Sequence, residues 1–157
     1  MRQKGFTLVE TLVALAIIAT TLMGVLSLII ANIINARIAQ QNLIAGNLAQ
    51  EGLEVVRNMR DNDWFAGNNF GSSLPAGTYR VQWDDLSLRP VDLNPELKLD
   101  TTTHIYNYDS GDFTPYKRSL VIEQVSNSEI KVLVVVEWTN RGRDLRLEAE
   151  SHLFDWY

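Results

Sequence analysis

The chain begins with an apolar stretch long enough to cross a membrane, and this stretch limits what the chain can fold into. From Phe6 to Ile34 polar residues are few, and no proline interrupts the run. About 20 apolar residues in a helix span the hydrocarbon core of a bilayer. The remainder has the mixed composition of a water-exposed domain, so we expect an apolar helix followed by a soluble head. One residue conflicts with a simple anchor, because Glu10 places a carboxylate in the run, where an acid is costly in hydrocarbon.

Three ordinary interpretations of the stretch compete. A secretory signal peptide has a basic start, supplied here by Arg2 and Lys4, but its apolar region is shorter and a small-residue cleavage site follows it. A single-pass anchor with Arg2 and Lys4 in the cytoplasm agrees with the positive-inside rule, yet it leaves Glu10 unexplained. A buried core helix is disfavoured, because the chain has no apolar partner of similar length.

The residues around Glu10 resemble the start of a known family. The stretch "KGFTLVE" (residues 4–10), followed directly by a long apolar helix, resembles type IV prepilins and the pseudopilins of type II secretion. The resemblance implies that a prepilin peptidase cuts between Gly5 and Phe6 and that Phe6 is then N-methylated. Residues 11–28 most resemble the minor pilins and minor pseudopilins. The chain lacks two features of many major pilins, a proline where Ser27 stands and a disulfide-closed loop near the C-terminus.

The resemblance also gives Glu10 a physical role. Cleavage would create a free amine on Phe6, and a buried amine and carboxylate are tolerable as a pair although each is costly alone. Glu10 pairs either with Phe6 of a neighbouring subunit, which would set axial register, or with its own Phe6, one helical turn away. A position near a helix N-terminus also favours negative charge. We predict that Glu10 and Phe6 serve subunit docking.

Beyond Ile34 the chain becomes polar but keeps helical spacing. "DNDW" and "GNNFGSS" then provide turn residues, so we expect one helix from about Phe6 to about Arg60, with Arg57 and Arg60 in its last turn. Gly46 and Gly52 either bend this helix, allow close packing or are simply tolerated. The apolar stripe of the second half, residues 35–60, is as follows: Ile38, Ala45, Ala49, Gly52, Val56 and Met59.

The remaining residues, 61–157, are predicted to form a β-rich head. Residues 117–125, 130–139 and 144–154 read as three consecutive strands; a short amphipathic helix is the alternative for the third. The strands are joined at 126–129 and at 140–143, where Gly142 can adopt a positive φ. The fold class is therefore α+β, a long N-terminal helix packed against an antiparallel β-sheet head.

The first part of the head is less regular. Residues 78–85 are predicted as a strand that places Tyr79, Val81 and Trp83 on one side, and residues 97–108 as one or two short strands. Pro90 and Pro95 mark residues 86–96 as a connecting loop.

No enzyme motif and no cofactor site are found in the head. Disulfides and thiolate metal sites are excluded because the chain has no cysteine. His104 and His152 lie far apart in sequence and are interpreted as solvent-facing strand residues. The weak calcium candidates, which lack an established loop spacing and are better explained as turn residues, are Asp61, Asp63, Asp109 and Asp112.

Nucleic acid is a disfavoured partner. The formal net charge is −5, and an acidic surface repels phosphate. Arg141, Arg143 and Arg146 cluster at the predicted hairpin turn, with Lys117 and Arg118 expected nearby, but a solvated turn explains this cluster better than a broad basic surface.

The sequence therefore predicts a structural subunit of a type IV pilus-like filament, a minor pilin, with residues 1–5 as leader and residues 6–34 as membrane and filament-core helix. The alternatives are a minor pseudopilin of a type II secretion or DNA-uptake machine, and a membrane-anchored binding module that does not polymerise. The resemblance implies other pilin subunits, prepilin peptidase, an inner-membrane assembly platform and lipid as partners. It also implies a single pass through the cytoplasmic membrane with the N-terminus inside, followed by an extracellular or periplasmic filament.

Overall fold

The computed structural model describes residues 5, 7–91 and 94–155, which form one helix and seven strands. The chain divides into two compact units, with the boundary between Gln41 and Asn42. The elements are α1 (Leu8–Phe65), β1 (Gly77–Arg80), β2 (Arg89–Pro90), β3 (Glu96–Leu99), β4 (Tyr106–Asn107), β5 (Asp112–Ser126), β6 (Glu129–Asn140) and β7 (Arg143–Phe154).

In the first unit, α1 is exposed on all sides from Leu8 to Ile33. The hydroxyl groups in this apolar run are satisfied within the helix. Thr21 donates to the carbonyl of Ile17 (2.8 Å) and Ser27 to that of Met23 (2.9 Å). Such bonds to the preceding turn let a hydroxyl enter an apolar environment without an unpaired polar group.

The C-terminus of α1 lies at Phe65, five residues beyond the predicted end near Arg60. The end is a Schellman motif, in which the Asn68 N–H donates to the carbonyl of Asp63 (2.9 Å) and the Gly67 N–H to that of Trp64 (3.0 Å). Gly67 adopts the left-handed conformation that this motif requires, with φ +72°. Residues of "DNDW" thus belong to the helix, and the prediction that Arg57 and Arg60 lie in its last turn is wrong.

In the second unit, one face of α1 packs into the core of the head. Ile38 was expected on this face but is 38% exposed, whereas Leu48 and Val55 are additional members. A Cβ added at Gly52 would lie 3.1 Å from a methyl of Val134, so Gly52 allows close packing, while Gly46 faces open space. The buried residues of α1 are Ala45, Leu48, Ala49, Gly52, Val55, Val56, Met59 and Asp63.

The strands form one antiparallel sheet arranged around β5. On one side β5 pairs with β6, and β6 pairs with β7. On its other side β5 pairs with β3 near its start and with β1 further along. Strands β2 and β4 extend the sheet beyond β1 and β3. Alternate residues of β5 and β6 enter the core with the buried face of α1, which confirms the predicted α+β class.

The region between α1 and β5 differs from the prediction. The strand expected at 78–85 ends at Arg80, because Gln82 is held in a turn by hydrogen bonds from its backbone N–H to Asp85 (2.8 Å) and from its side chain to Asp84 (2.8 Å). Trp83 is consequently exposed and does not share a face with the buried Val81. The expected loop at 86–96 contains the two-residue strand β2 and the start of β3.

The remaining strands agree with the sequence, except that β5 begins at Asp112 and not at 117, because its first residues pair with β3. Residues 97–108 contain two short strands, β3 and β4. The segment 144–154 is a strand and not the alternative helix. Arg141 (φ +52°) and Gly142 (φ +75°) form the two-residue turn between β6 and β7, with positive φ at both positions as in a type I′ turn.

Candidate functional site

The start of α1 is a capped helix terminus that contains Glu10. The Thr7 side-chain oxygen accepts a hydrogen bond from the Glu10 N–H (3.3 Å), and the Thr7 carbonyl accepts from Thr11 N–H (3.2 Å). Thr7 is therefore the N-cap and Glu10 the third helical residue, which is the Thr-x-x-Glu spacing of a capping box. Glu10 and Gly5 are exposed. The backbone N–H of Glu10 thus takes part in the cap, while its carboxylate has the docking role predicted from sequence.

Several of the predicted site residues lie outside the described part of the chain. These are Phe6, the residue expected to be methylated and to meet Glu10, and the basic leader residues Arg2 and Lys4. The cleavage point, the methylation and the docking pair accordingly stay predictions.

The helix that follows Glu10 presents an apolar surface on every side. Leucine, isoleucine, valine and methionine side chains between Leu8 and Ile33 are half-exposed or more. Among the described residues, α1 is the helix whose length and composition would allow it to cross a membrane. Such a surface requires lipid or other apolar helices around it.

Within the head, Arg118 is fully buried and joins α1 to its own strand β5 and to the segment after β1. Its guanidinium donates from Nη1 to the carbonyl of Leu48 and to Glu51 (both 2.9 Å), and from Nη2 to the carbonyl of Val81 (2.6 Å). The expectation that Arg118 belongs to the basic cluster at the hairpin turn is wrong. The alternation of β5 places it on the core face, between Tyr116 and Leu120.

The carboxylates considered for calcium have other partners. Asp63 is buried and accepts hydrogen bonds from Ser73 N–H (2.8 Å) and from the Asn68 side chain (3.3 Å). Asp61 forms an ion pair with Arg60, and Asp109 accepts a hydrogen bond from the side chain of Gln82 (3.1 Å).

The fourth candidate, Asp112, is the exposed first residue of β5. Within residues 5, 7–91 and 94–155, no group of three His, Asp or Glu side chains could hold a metal ion.

The two histidines have different settings. His104 is in a turn with φ +58°, so the interpretation as a strand residue is wrong for it. His152 is a solvent-facing residue of β7, with Nδ1 2.6 Å from Glu129 and Nε2 3.1 Å from Glu150. Hydrogen bonds to Glu129 and then Glu150 raise the pKa of the His152 imidazole above its ordinary value.

The basic residues at the β6–β7 turn alternate with acids. Arg146 pairs with Glu148 on β7. In the sheet register, Glu137 lies between Lys117 and Arg146. The groove at this end of the sheet is also lined by Glu96 and Asp144. This alternation gives no continuous basic surface for a phosphate backbone.

An exposed apolar helix with a capped start precedes an α+β head, an arrangement consistent with anchoring in a membrane by one helix. Residues 1–26 match the family model described as the prokaryotic N-terminal methylation motif. The match agrees with the resemblance of residues 4–10 to type IV prepilins and pseudopilins. No curated protein and no solved structure matches the chain.

Two residues with defined structural roles were missed in the sequence. Thr7 was read as part of the motif, although a threonine three residues before a glutamate at the start of a helix is itself a capping signal. Arg118 was read as a surface cation, although its position in the alternation of β5 puts it on the face of Leu120 and Ile122.

Proposed function

We propose that the protein is a minor pilin, a subunit that enters a type IV pilus-like filament through its N-terminal helix. The observation that carries the proposal is the combination of the methylation motif with a helix that is apolar on all sides from Leu8 to Ile33. Such a helix is stable in lipid before assembly and among similar helices afterwards, so the same surface serves both states.

In this proposal each part of the chain has a distinct task. Residues 1–5 are a leader that prepilin peptidase removes after Gly5, and Phe6 is the methylated N-terminus. Residues 6–34 enter the membrane and then the filament core, residues 35–60 continue the helix, and residues 61–157 form the exposed head. Prepilin peptidase, an inner-membrane assembly platform and other pilin subunits are the partners.

Glu10 would pair with the Phe6 amine of a neighbouring subunit. The effect of the charge can be tested without disturbing the helix start, because glutamine is as suitable as glutamate at the third helical position. We expect Glu10→Gln to keep the helix start but to lower incorporation into filaments as severely as Glu10→Ala, since both lose the carboxylate. The measurement is the amount of protein in sheared filaments relative to the amount in the membrane. Normal incorporation of Glu10→Gln would refute charge pairing and leave the capping role.

Cleavage of the leader distinguishes a pilin subunit from a binding module on a permanent membrane anchor. N-terminal mass spectrometry of the native protein should find a chain that begins at monomethylated Phe6. An intact leader on the assembled protein would contradict the proposal.

A minor pseudopilin of a secretion or DNA-uptake machine is the alternative within the family. The location of the processed protein distinguishes the two. A minor pilin is recovered in filaments sheared from the cell surface, whereas a pseudopilin stays with the cell envelope.

A further inference from the structure

The outer edge of β7 is long, regular and open. β7 pairs with β6 without interruption from Arg143 to Phe154, and it has no other strand partner in the described part of the chain. Natural sheets protect such edges with short strands, prolines, charged side chains or bulges. The 12 residues of β7 include charged side chains but no proline and no lysine, and the register with β6 shows no bulge.

The turn before β7 determines which backbone groups this edge offers. Asn140 and Arg143 flank the two-residue turn and therefore form a hydrogen-bonded pair. Hydrogen-bonded and non-hydrogen-bonded pairs alternate along an antiparallel ladder. The backbone N–H and C=O groups of Asp144, Arg146, Glu148 and Glu150 consequently point away from β6.

The side chains of β7 form two rows. Leu145, Leu147 and Ala149 pack against the core but are only partly buried. The opposite row carries Glu148 and Glu150 next to each other, with Arg146 before them. Arg146 pairs with Glu148, and Glu150 pairs with Lys131 and His152, so basic groups of a partner would share these carboxylates with existing ion pairs. An added strand would cover the exposed parts of the apolar row, and opposite charges across a strand pair are favourable.

We propose that the edge of β7 from Asp144 to Glu150 is a docking site for an extended strand of another polypeptide. The partner strand would add to the sheet by backbone hydrogen bonds. It would place apolar side chains opposite Leu147 and Ala149 and basic side chains opposite Glu148 and Glu150. This site lies in the head and does not depend on cleavage of the leader or on polymerisation, so its failure would leave the proposed function untouched.

The test uses the full chain in non-ionic detergent and fluorescent peptides of eight residues. The probe alternates valine and lysine. One control peptide carries N-methyl groups on alternate backbone amides, which keeps its charge but removes its edge hydrogen bonds, and a second alternates valine and glutamate. Fluorescence anisotropy should show the valine–lysine peptide binding at least tenfold more tightly than either control.

A proline at position 148 tests the edge from the protein side. Its missing N–H points outward, so Glu148→Pro should keep the pairing with β6 but weaken peptide binding at least tenfold, whereas Glu148→Gln should weaken it less. Circular dichroism and the urea midpoint report whether Glu148→Pro has folded. If Glu148→Pro does not fold, the test is the difference in affinity of the unaltered protein for the valine–lysine peptide and for its N-methylated form.

Three results would overturn the proposal. The first is equal binding of the valine–lysine peptide and its N-methylated form, which would indicate charge attraction without strand addition. The second is binding of the valine–glutamate peptide as strong as that of the lysine form. The third is self-association of the unaltered protein that Glu148→Pro abolishes, which would identify a second copy as the occupant.

Discussion

Arg118 joins α1, β5 and the segment after β1 through one fully buried side chain. Its guanidinium satisfies the carbonyl groups of Leu48 and Val81 and forms an ion pair with Glu51. Replacement by methionine keeps much of the volume but removes a donor to the carbonyls of Leu48 and Val81 and leaves Glu51 without its ion-pair partner. We expect Arg118→Met to lower the free energy of unfolding by about 3 kcal/mol, measured by urea denaturation of the full chain in detergent.

The matched control for Arg118 is Arg57. Arg57 pairs with Glu54 three residues earlier on α1, and both side chains are exposed. Exposed pairs of this kind contribute less than about 1 kcal/mol. Equal effects of Arg57→Ala and Arg118→Met would contradict the importance assigned to the buried guanidinium.

His152 makes part of the stability of the head depend on pH. Its pKa is raised above 6.5 by Glu129 and then Glu150, so its contribution is present below 6.5 and is lost as the pH rises through the folded value. The pKa of Glu150 is lowered from 4.5 by His152 and by Lys131, so its contribution is lost as the pH falls below 4.5. We expect the urea midpoint to fall as the pH rises above 6.5, and His152→Gln to remove most of that fall. An unchanged pH profile in His152→Gln would show that the imidazole is not responsible.

Single residues show where sequence reasoning succeeded and where it failed. Glu10 was singled out because an acid in an apolar run is conspicuous by itself. Arg118 was not, because its environment is formed by Leu48, Glu51 and Val81, which are distant in sequence. The alternation of buried and exposed positions along its own strand can predict that such a cation is buried. It does not predict which residues the cation contacts.

At the scale of elements, replacement of two glycines of the α1 region by alanine should change the free energy of unfolding in opposite directions. Gly67 has φ +72° in the Schellman motif, and this conformation costs a residue with a side chain about 1 kcal/mol. Gly46 is inside the helix with open space around its Cα, so alanine there should gain up to about 1 kcal/mol of helix propensity. Urea denaturation should therefore show that Gly67→Ala destabilises and Gly46→Ala stabilises the protein. A loss of stability in both would mean that Gly46 has a contact or bend that the helix requires.

Elements fixed by local patterns were predictable, and those fixed by distant contacts were not. Strands β5, β6 and β7 alternate strongly and are joined by short turns, so β6 and β7 were predicted to within one residue at each end, whereas β5 begins at Asp112, before the predicted start at 117. The end of α1 was placed too early because Asp61 and Asp63 read as turn residues. In the structure Asp63 instead stays helical and accepts a hydrogen bond from Ser73, ten residues further on. Likewise, Gln82 in the turn after β1 also donates a hydrogen bond to Asp109, 27 residues further on, which no local pattern reveals.

At the scale of the whole molecule, the two compact units differ in what the sequence reveals. The first 26 residues carry a motif that is readable without any structure, because it consists of particular residue types at fixed spacing. The head has no such motif, and its features depend on long-range packing around Arg118 and along the edge of β7. The family resemblance could thus be recognised from the N-terminus alone, whereas the proposed docking edge required the sheet register.

The division into two units predicts that the head folds by itself. Its hydrophobic core draws on residues from Ala45 onward, with the partly buried Ile44 against it, and no buried apolar residue precedes Ala45 in the described part of the chain. A fragment spanning residues 42–157 also lacks the exposed apolar helix surface that requires lipid or other helices. We expect this fragment to be soluble without detergent, to show the circular dichroism of an α+β domain and to unfold in one transition at the urea midpoint of the full chain. A fragment that aggregates or unfolds at a much lower midpoint would show that residues before 42 contribute to the stability of the head.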